Sequence, residues 1–457
     1  MKIALISTYE LGRQPFGLAS PAGWLARRGH DVVCMDLSRE AAQEEEIRQA
    51  GLIGFYVPMH TAARLTLELM EPVGKLNPRA HICVFGLYAP MNEQSFRKAG
   101  AHSVLDAEFE EDLARLADRV SNGQIAGGPR FDGAAKEKAL PRLKFEETDR
   151  STLPALRKYA HLVMPDGMHR TTGYTEASRG CKHVCRHCPI VPVYEGQFRV
   201  VQADIVLEDI RQQARAGAQH ITFGDPDFFN GLTHGMRIAE KLHEEFPELT
   251  YDATIKIEHL KKHPKQLERL RDTGCAFVTS AVESLDDQVL AKLEKGHTRR
   301  DFIEVLEQCR NIGLGLQPTF VAFTPWTTAE GYLDLLETIA DLDLAEIVAP
   351  IQLGIRLLIP NGSRLLELEE IRRIAEPFDE RSLVYPWRHE DPAMDALAEA
   401  VQHAVTNAEK QKLSRRESFE SIWQLAREAL SAPATPLHLP VLRDRATIPY
   451  LNEPWYC

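Results

Sequence analysis

Short apolar runs alternate with amphipathic ones along the first 122 residues. The apolar runs at 2–7, 31–37, 52–57, 81–88 and 103–106 have the length of strands. The runs between them, at 19–28, 39–50, 61–76 and 91–98, and a last one at 108–120, read as helices. Strand–helix alternation with connections this short predicts a parallel sheet with helices on both faces. The alternation resumes at 173. Strands are predicted at 173–179, 220–223, 251–255, 276–281, 315–323 and 346–353. Helices are predicted at 203–216, 233–245, 265–273, within 286–293, and at 300–312 and 329–340, with Pro264 opening the third. From 364 the pattern is helical, at 365–375, 391–410 and 418–430, before prolines at 433, 436 and 440 punctuate the chain.

The first five steps suit a flavodoxin-like open parallel sheet, in which ligands sit at the carboxyl ends of the strands. Those ends fall at 7–12, 56–60 and 85–90, where Gly12 and Gly86 either admit a flat ligand to the backbone or simply make turns. The six later steps suit an incomplete (β/α)6 barrel, whose strand ends converge on one mouth. The expected division of this α/β chain is a ligand-binding sheet at 1–122, a surface linker at 123–172, a partial barrel at 173–363 and a helical region with a tail at 364–457.

Composition bounds the rest. At 457 residues the chain is too long for one ordinary core. Its 44% hydrophobic and 26% charged content is that of a globular protein. A net charge of −12 argues against a nucleic-acid partner held by phosphate neutralisation. No stretch has the length and apolarity of a membrane span, and the apolar run at 3–6 is too short for a signal peptide, so a cytoplasmic location is expected. The eight cysteines form no spaced disulfide framework, which also fits a reducing compartment.

Three of those cysteines fall within eight residues: Cys181-Lys182-His183-Val184-Cys185-Arg186-His187-Cys188. Three thiolates on one tight loop can hold three irons of a 4Fe-4S cubane and leave the fourth open. A zinc site completed by His183 or His187, and a redox dithiol of Cys185 and Cys188, are the other readings.

The strand ends around this loop carry a resemblance. Thr222-Phe223-Gly224-Asp225-Pro226-Asp227-Phe228 is similar to the Phe-x-Asp-Asp-x-Phe segment of radical S-adenosylmethionine (SAM) enzymes, Ser280-Ala281-Val282-Glu283-Ser284 to their Gly-x-Glu-Ser, and Lys295-Gly296-His297-Thr298 to a segment that often follows. The resemblance implies Cys181, Cys185 and Cys188 as cluster ligands, Asp225 as acceptor for the SAM ammonium, Lys256 as partner of its carboxylate and Glu283 on its ribose. Asp225 has a plainer reading, shared with Asp227, as a cap or Asx-turn, and Lys256 has one as a solvated lysine. The run 320–328 would support adenine or pack as barrel core. Gln352 and Arg356 would face the substrate or sit at the rim, and Tyr385-Pro386-Trp387 would close the cavity or pack as core. Relatives usually carry an aromatic residue where His187 stands. The implied reaction is reductive cleavage of SAM and modification of an unactivated carbon of a small-molecule or peptide substrate, with flavodoxin or ferredoxin as electron donor. A non-catalytic metal- or corrin-binding sensor is the contrasting reading.

The order of parts further resembles class B radical SAM enzymes, which carry a cobalamin-binding domain ahead of the barrel. Their Asp-x-His-x-x-Gly motif is absent here, since 9–17 contains no histidine. Many members of this type lack it, so the resemblance admits cobalamin; a domain retained for architecture is the other reading. The tail ending Asn452-Glu453-Pro454-Trp455-Tyr456-Cys457 resembles a radical SAM family recognised by a terminal Cys-Cys-Ala-Glu-Pro or Cys-selenocysteine-Ala-Glu-Pro. On that reading a selenocysteine codon follows Cys457; an ordinary terminal cysteine is the alternative.

Overall fold

The computed structural model describes residues 1–124, 143–430 and 449–452. Two sheets organise it. The first contains β1 (Lys2–Ser7), β2 (Asp31–Asp36), β3 (Leu52–Tyr56), β4 (His81–Phe85) and β5 (Ser103–Val104), all parallel, in the order β2-β1-β3-β4-β5. Every residue of β3 is buried, as expected for a strand covered on both faces. Helices Phe16–Arg27 and Glu110–Ser121 pack together on one face, and His60–Leu76 belongs to the core on the other. The flavodoxin-like order places a topological switch between β1 and β3, so a crevice opens where Ser7 and Tyr56 end their strands.

The second sheet runs β13-β12-β11-β10-β7-β6-β14. Its parallel part is β7 (His169–Thr175), β10 (His220–Phe223), β11 (Thr250–Thr254), β12 (Cys275–Glu283) and β13 (Gly315–Phe320). Two short antiparallel strands, β6 (His161–Val163) and β14 (Tyr450–Leu451), extend its outer edge. A separate ribbon of β8 (Ser178–Gly180) and β9 (Phe198–Val200) flanks the cysteine loop. Local signals place the helices. Pro264 occupies the first turn of Pro264–Asp272, and Thr298 and Asp301 form a capping box that opens Arg299–Ile312. Gly313, at φ 76°, ends that helix.

The sixth predicted strand does not form. Residues 350–353 are a 3-10 turn, and the barrel's last step shrinks to one parallel bridge between Phe323 and Arg356. Pro350 opens the turn, and the Gln352 side chain accepts the Phe320 N–H at 3.0 Å, taking the place a neighbouring strand would fill. Gln352 is therefore a structural plug. Arg356 pairs with Asp395 at 2.6 Å and stacks over Trp387, whose indole donates to the Leu357 carbonyl at 2.7 Å. Trp387 thus belongs to a satellite core. Helices Pro392–Gln411 and Arg415–Ala429 share the main barrel core through Val401, Phe419 and Trp423.

Part of the expected surface linker is buried. Phe145 is 1% exposed, and its N–H donates to Gln202 Oε1 at 2.9 Å. Arg150 bonds Asp209 at 2.7 Å, Gln14 Oε1 at 2.6 Å and the Tyr174 carbonyl at 2.8 Å, stitching the first sheet's loops to the second. Apolar and acidic partners on both sides pull in a stretch that its charges mark as solvated. Cys457 and the tail from 453 lie outside the described residues.

Candidate active site

Two sets of strand ends face one another. A cavity of about 200 Å³ lies between them, lined by Glu10, Tyr56 and Phe109 on the first sheet's side and by Tyr174 and Glu176 on the second's, with Arg179 from the β8–β9 ribbon. Arg179 crosses this boundary, pairing with Glu110 at 2.6 Å and Glu176 at 2.7 Å while its guanidinium lies over Phe16, Phe109 and Phe145. Burial pushes the Glu10 carboxyl well up, and nearby Glu176 adds to the shift.

The cysteine loop leaves β8 through Gly180, whose φ is 71°; a Cβ there would stand 2.4 Å from the Tyr194 ring. Cys181 and Cys185 are buried and Cys188 is half-buried. Burial pushes Cys188 up to about 12 and raises Cys181, and the neighbouring thiols add to both shifts. Arg186 anchors the loop from outside, its N–H on the Leu293 carbonyl at 3.0 Å and its guanidinium on Glu294 at 2.6 Å.

The three other predicted residues sit at the carboxyl ends of consecutive strands. Lys256, after β11, is buried with Nζ 3.8 Å from Cys185 Sγ and 3.4 Å from Glu258. It faces the cysteine loop and is no solvated lysine. Glu283 ends β12 in a left-handed conformation, φ 69°, at a register shift, which is strain of the kind stored at functional positions. His187 Nε2 lies 3.1 Å and Lys295 Nζ 3.2 Å from its Oε1. Burial works against its ionisation, yet Lys295 and then His187 hold its pKa well below the usual carboxylate range. Asp225, after β10, is 2% exposed and accepts the Ala177 N–H at 2.9 Å and the Ser178 hydroxyl at 2.5 Å. Burial pushes its pKa up to about 7. Asp225 therefore braces the approach to the cysteine loop.

Of the run 320–328, Phe320 and Phe323 are core, whereas Val321 and Ala322 line a cavity of about 230 Å³ together with Glu283. Beyond its place in the Lys-Gly-His segment, nothing local marks Lys295 as Glu283's partner. Of the two loop histidines weighed as a fourth zinc ligand, His183 turns Nε2 to Asp227 at 3.5 Å and His187 turns Nε2 to Glu283.

Comparison with known proteins bears on this arrangement. Residues 175–337, from the end of β7 into the helix Ala329–Asp341, match the radical SAM superfamily model. The chain carries a radical SAM domain. Among curated relatives, hopanoid C-3 methylase of Methylococcus capsulatus is 24% identical, the match covering 68% of this chain and 62% of the relative. A tRNA-2-methylthio-N(6)-dimethylallyladenosine synthase of Syntrophomonas wolfei is 23% identical, covering 65% of each. The chain thus spans less than two thirds of these relatives' length. Among solved structures, the cobalamin-dependent SAM radical enzyme OxsB, with aqua-cobalamin and SAM bound, superposes with TM-score 0.70 at 15% identity, covering 93% of this chain and 71% of that one. The radical SAM methyltransferase TsrM of Kitasatospora setae, with cobalamin and a [4Fe-4S] cluster bound, gives TM-score 0.64 at 14% identity, covering 94% and 100%. The two-sheet architecture with its helical C-terminal region is therefore one shared with cobalamin-dependent radical SAM enzymes.

The donor set fits the superfamily's cluster. Three mutually close, largely buried thiols share a loop, two lysines lie beside them, and neither loop histidine Nε2 is directed at them as a fourth ligand. A corrin is consistent with the solved neighbours, which hold cobalamin. Residues 9–17, after β1, contain no histidine that could ligate its cobalt.

Proposed function

We propose that this chain is a radical SAM enzyme that holds a 4Fe-4S cluster on Cys181, Cys185 and Cys188 and modifies an unactivated carbon of a small molecule or peptide. The observation that carries the reading is the convergence of Lys256 and Glu283, from successive strand ends, on the loop bearing those cysteines: Lys256 on Cys185 itself, Glu283 on His187. When bound, the cluster supplies the one-electron reduction that cleaves the sulfonium bond of SAM.

The chain's own residues orient that chemistry. Lys256 places a cation against the Cys185 sulfur and, with Lys295, offsets the charge that three thiolates gather in a buried site. Glu283, kept ionised by Lys295 and His187, has a second oxygen with which to accept ribose hydroxyls. Asp225 holds the backbone at 177–178 and keeps lone pairs for the SAM ammonium. The facing sheets wall the space between them, and a substrate filling it would keep water from a reactive radical. An electron donor of the flavodoxin or ferredoxin type supplies the reducing equivalent. Among the described residues no helix is long and apolar enough to cross a membrane.

Methyl transfer is the reaction class we favour, because one relative is a methylase and a solved neighbour is a methyltransferase. None of the roles above depends on a corrin. Anaerobic reconstitution tests the cluster assignment. The wild type should hold about four irons per chain, and Cys→Ala changes at 181, 185 or 188 should each abolish the brown chromophore. One bound zinc in place of iron would overturn the assignment in favour of a zinc-holding sensor.

A further inference from the structure

A second group of metal-ligating side chains lies beside the cysteine loop and takes no part in the site described above. His183 stands on that loop, Asp227 follows β10, and His259 sits in the helix Ile257–Lys262 after β11. One ligand atom from each lies within 4.8 Å of the others. His183 Nε2 is 3.3 Å from His259 Nε2 and 3.5 Å from Asp227 Oδ2, and His259 Nδ1 is 2.7 Å from the same oxygen. Bonds of about 2.0–2.1 Å in a tetrahedral zinc site set ligand atoms roughly 3.3 Å apart, so His183 Nε2, Asp227 Oδ2 and one nitrogen of His259, all within 4.8 Å of one another, close on a cation after a small side-chain adjustment.

The Asp227 carboxylate supplies an independent observation. The residue is 0% exposed. Its Oδ1 is used, accepting the Phe229 N–H at 3.1 Å. Its Oδ2 is buried without a hydrogen bond among the described residues, and so is His259 Nδ1, although the two are 2.7 Å apart. Asp227 Oδ2 thus has two imidazole nitrogens beside it, which can serve it as proton donors or join it as ligands of one cation.

We propose that His183, Asp227 and His259 form a mononuclear site for a divalent first-row cation, with Zn²⁺ as the ion of choice, separate from the cysteine cluster. Two imidazoles and one carboxylate suit that ion and leave a coordination position open. The cation would tie the cysteine loop to the ends of β10 and β11, because each ligand comes from a different one of these three segments. The plainer account is a metal-free hydrogen-bonded cluster that does the same pinning.

The experiment is independent of the iron assignment. The full chain carrying Cys181→Ala, Cys185→Ala and Cys188→Ala is given Zn²⁺, dialysed, and examined by metal analysis and zinc-edge X-ray absorption. The expected result is one zinc per chain with nitrogen and oxygen ligands and no sulfur. Adding Asp227→Ala or His259→Ala should weaken zinc binding by at least ~10-fold. A folded triple variant that retains no zinc overturns the proposal, and so does a zinc that survives both added changes. If the triple variant fails to fold, the same spectrum on reconstituted wild type decides: a zinc beyond the four irons, without sulfur ligands, supports the site, and its absence refutes it.

Discussion

His187 Nε2 stands 3.1 Å from Glu283 Oε1, so a residue of the cysteine loop holds a residue at the end of β12. The position where relatives carry an aromatic ring here carries a hydrogen-bonding one, and that ring serves Glu283. Replacing His187 with Phe removes a hydrogen bond to a charged group, worth roughly 1.5–3 kcal/mol. The expected outcome is SAM binding weakened by about 10-fold or more, with iron content unchanged. Equilibrium dialysis of SAM against the reconstituted variant checks both. Lost iron would show that His187 supports the cluster itself.

Lys256 Nζ lies 3.8 Å from the Cys185 sulfur. A cation there favours the more negative, reduced form of whatever metal the thiolates hold. Lys256→Met should keep the iron and lower the cluster's reduction potential by on the order of tens of millivolts. Redox titration followed by electron paramagnetic resonance measures the shift.

Asp225 predicts a pH dependence. Its pKa, ordinarily 3.8, is pushed up to about 7 by burial. The folded protein therefore binds this proton more tightly than the unfolded chain does. Stability owed to it is present below pH 3.8 and is lost progressively as pH rises to about 7. Asp225→Asn should flatten that slope in a series of thermal melts. In the wild type, SAM affinity should rise as pH increases through about 7, because the ionised carboxylate is the better partner for an ammonium.

Arg150 and Asp209 form an ion pair whose side chains are 9% and 1% exposed. Arg150→Ala leaves the aspartate buried without its cation, at a cost of about 3–5 kcal/mol. Urea unfolding should show that loss. A compensating Asp209→Asn in the same chain should recover part of it.

The first sheet and the part of the second from β7 to β13 were legible in the alternation of apolar and amphipathic runs because they are parallel and covered, whereas the short antiparallel edge strands β6 and β14 were not. His220–Phe223 falls where the pattern puts it, as does Lys2–Ser7. The cluster loop was legible because three cysteines in eight residues carry their own chemistry. What escaped the sequence depends on partners distant along the chain. The run 346–353 is apolar enough for a strand, but Pro350 and the Gln352 side chain replace strand pairing with a turn and a cap. Phe145 and Arg150 read as linker because their burial is decided by Gln202, Asp209 and Gln14. Lys256 could be placed near the mouth, but nothing local says that it turns onto Cys185. Asp227 and His259 are common residues in ordinary turns and helices, and only the fold brings them to His183.

The most direct test of the central claim is product analysis on the anaerobically reconstituted chain given SAM and a strong reductant. The account predicts 5′-deoxyadenosine and methionine in equal amounts from the wild type, and none from the Cys185→Ala variant. A wild-type protein that holds about four irons and binds SAM, yet releases no 5′-deoxyadenosine under reduction, would contradict it.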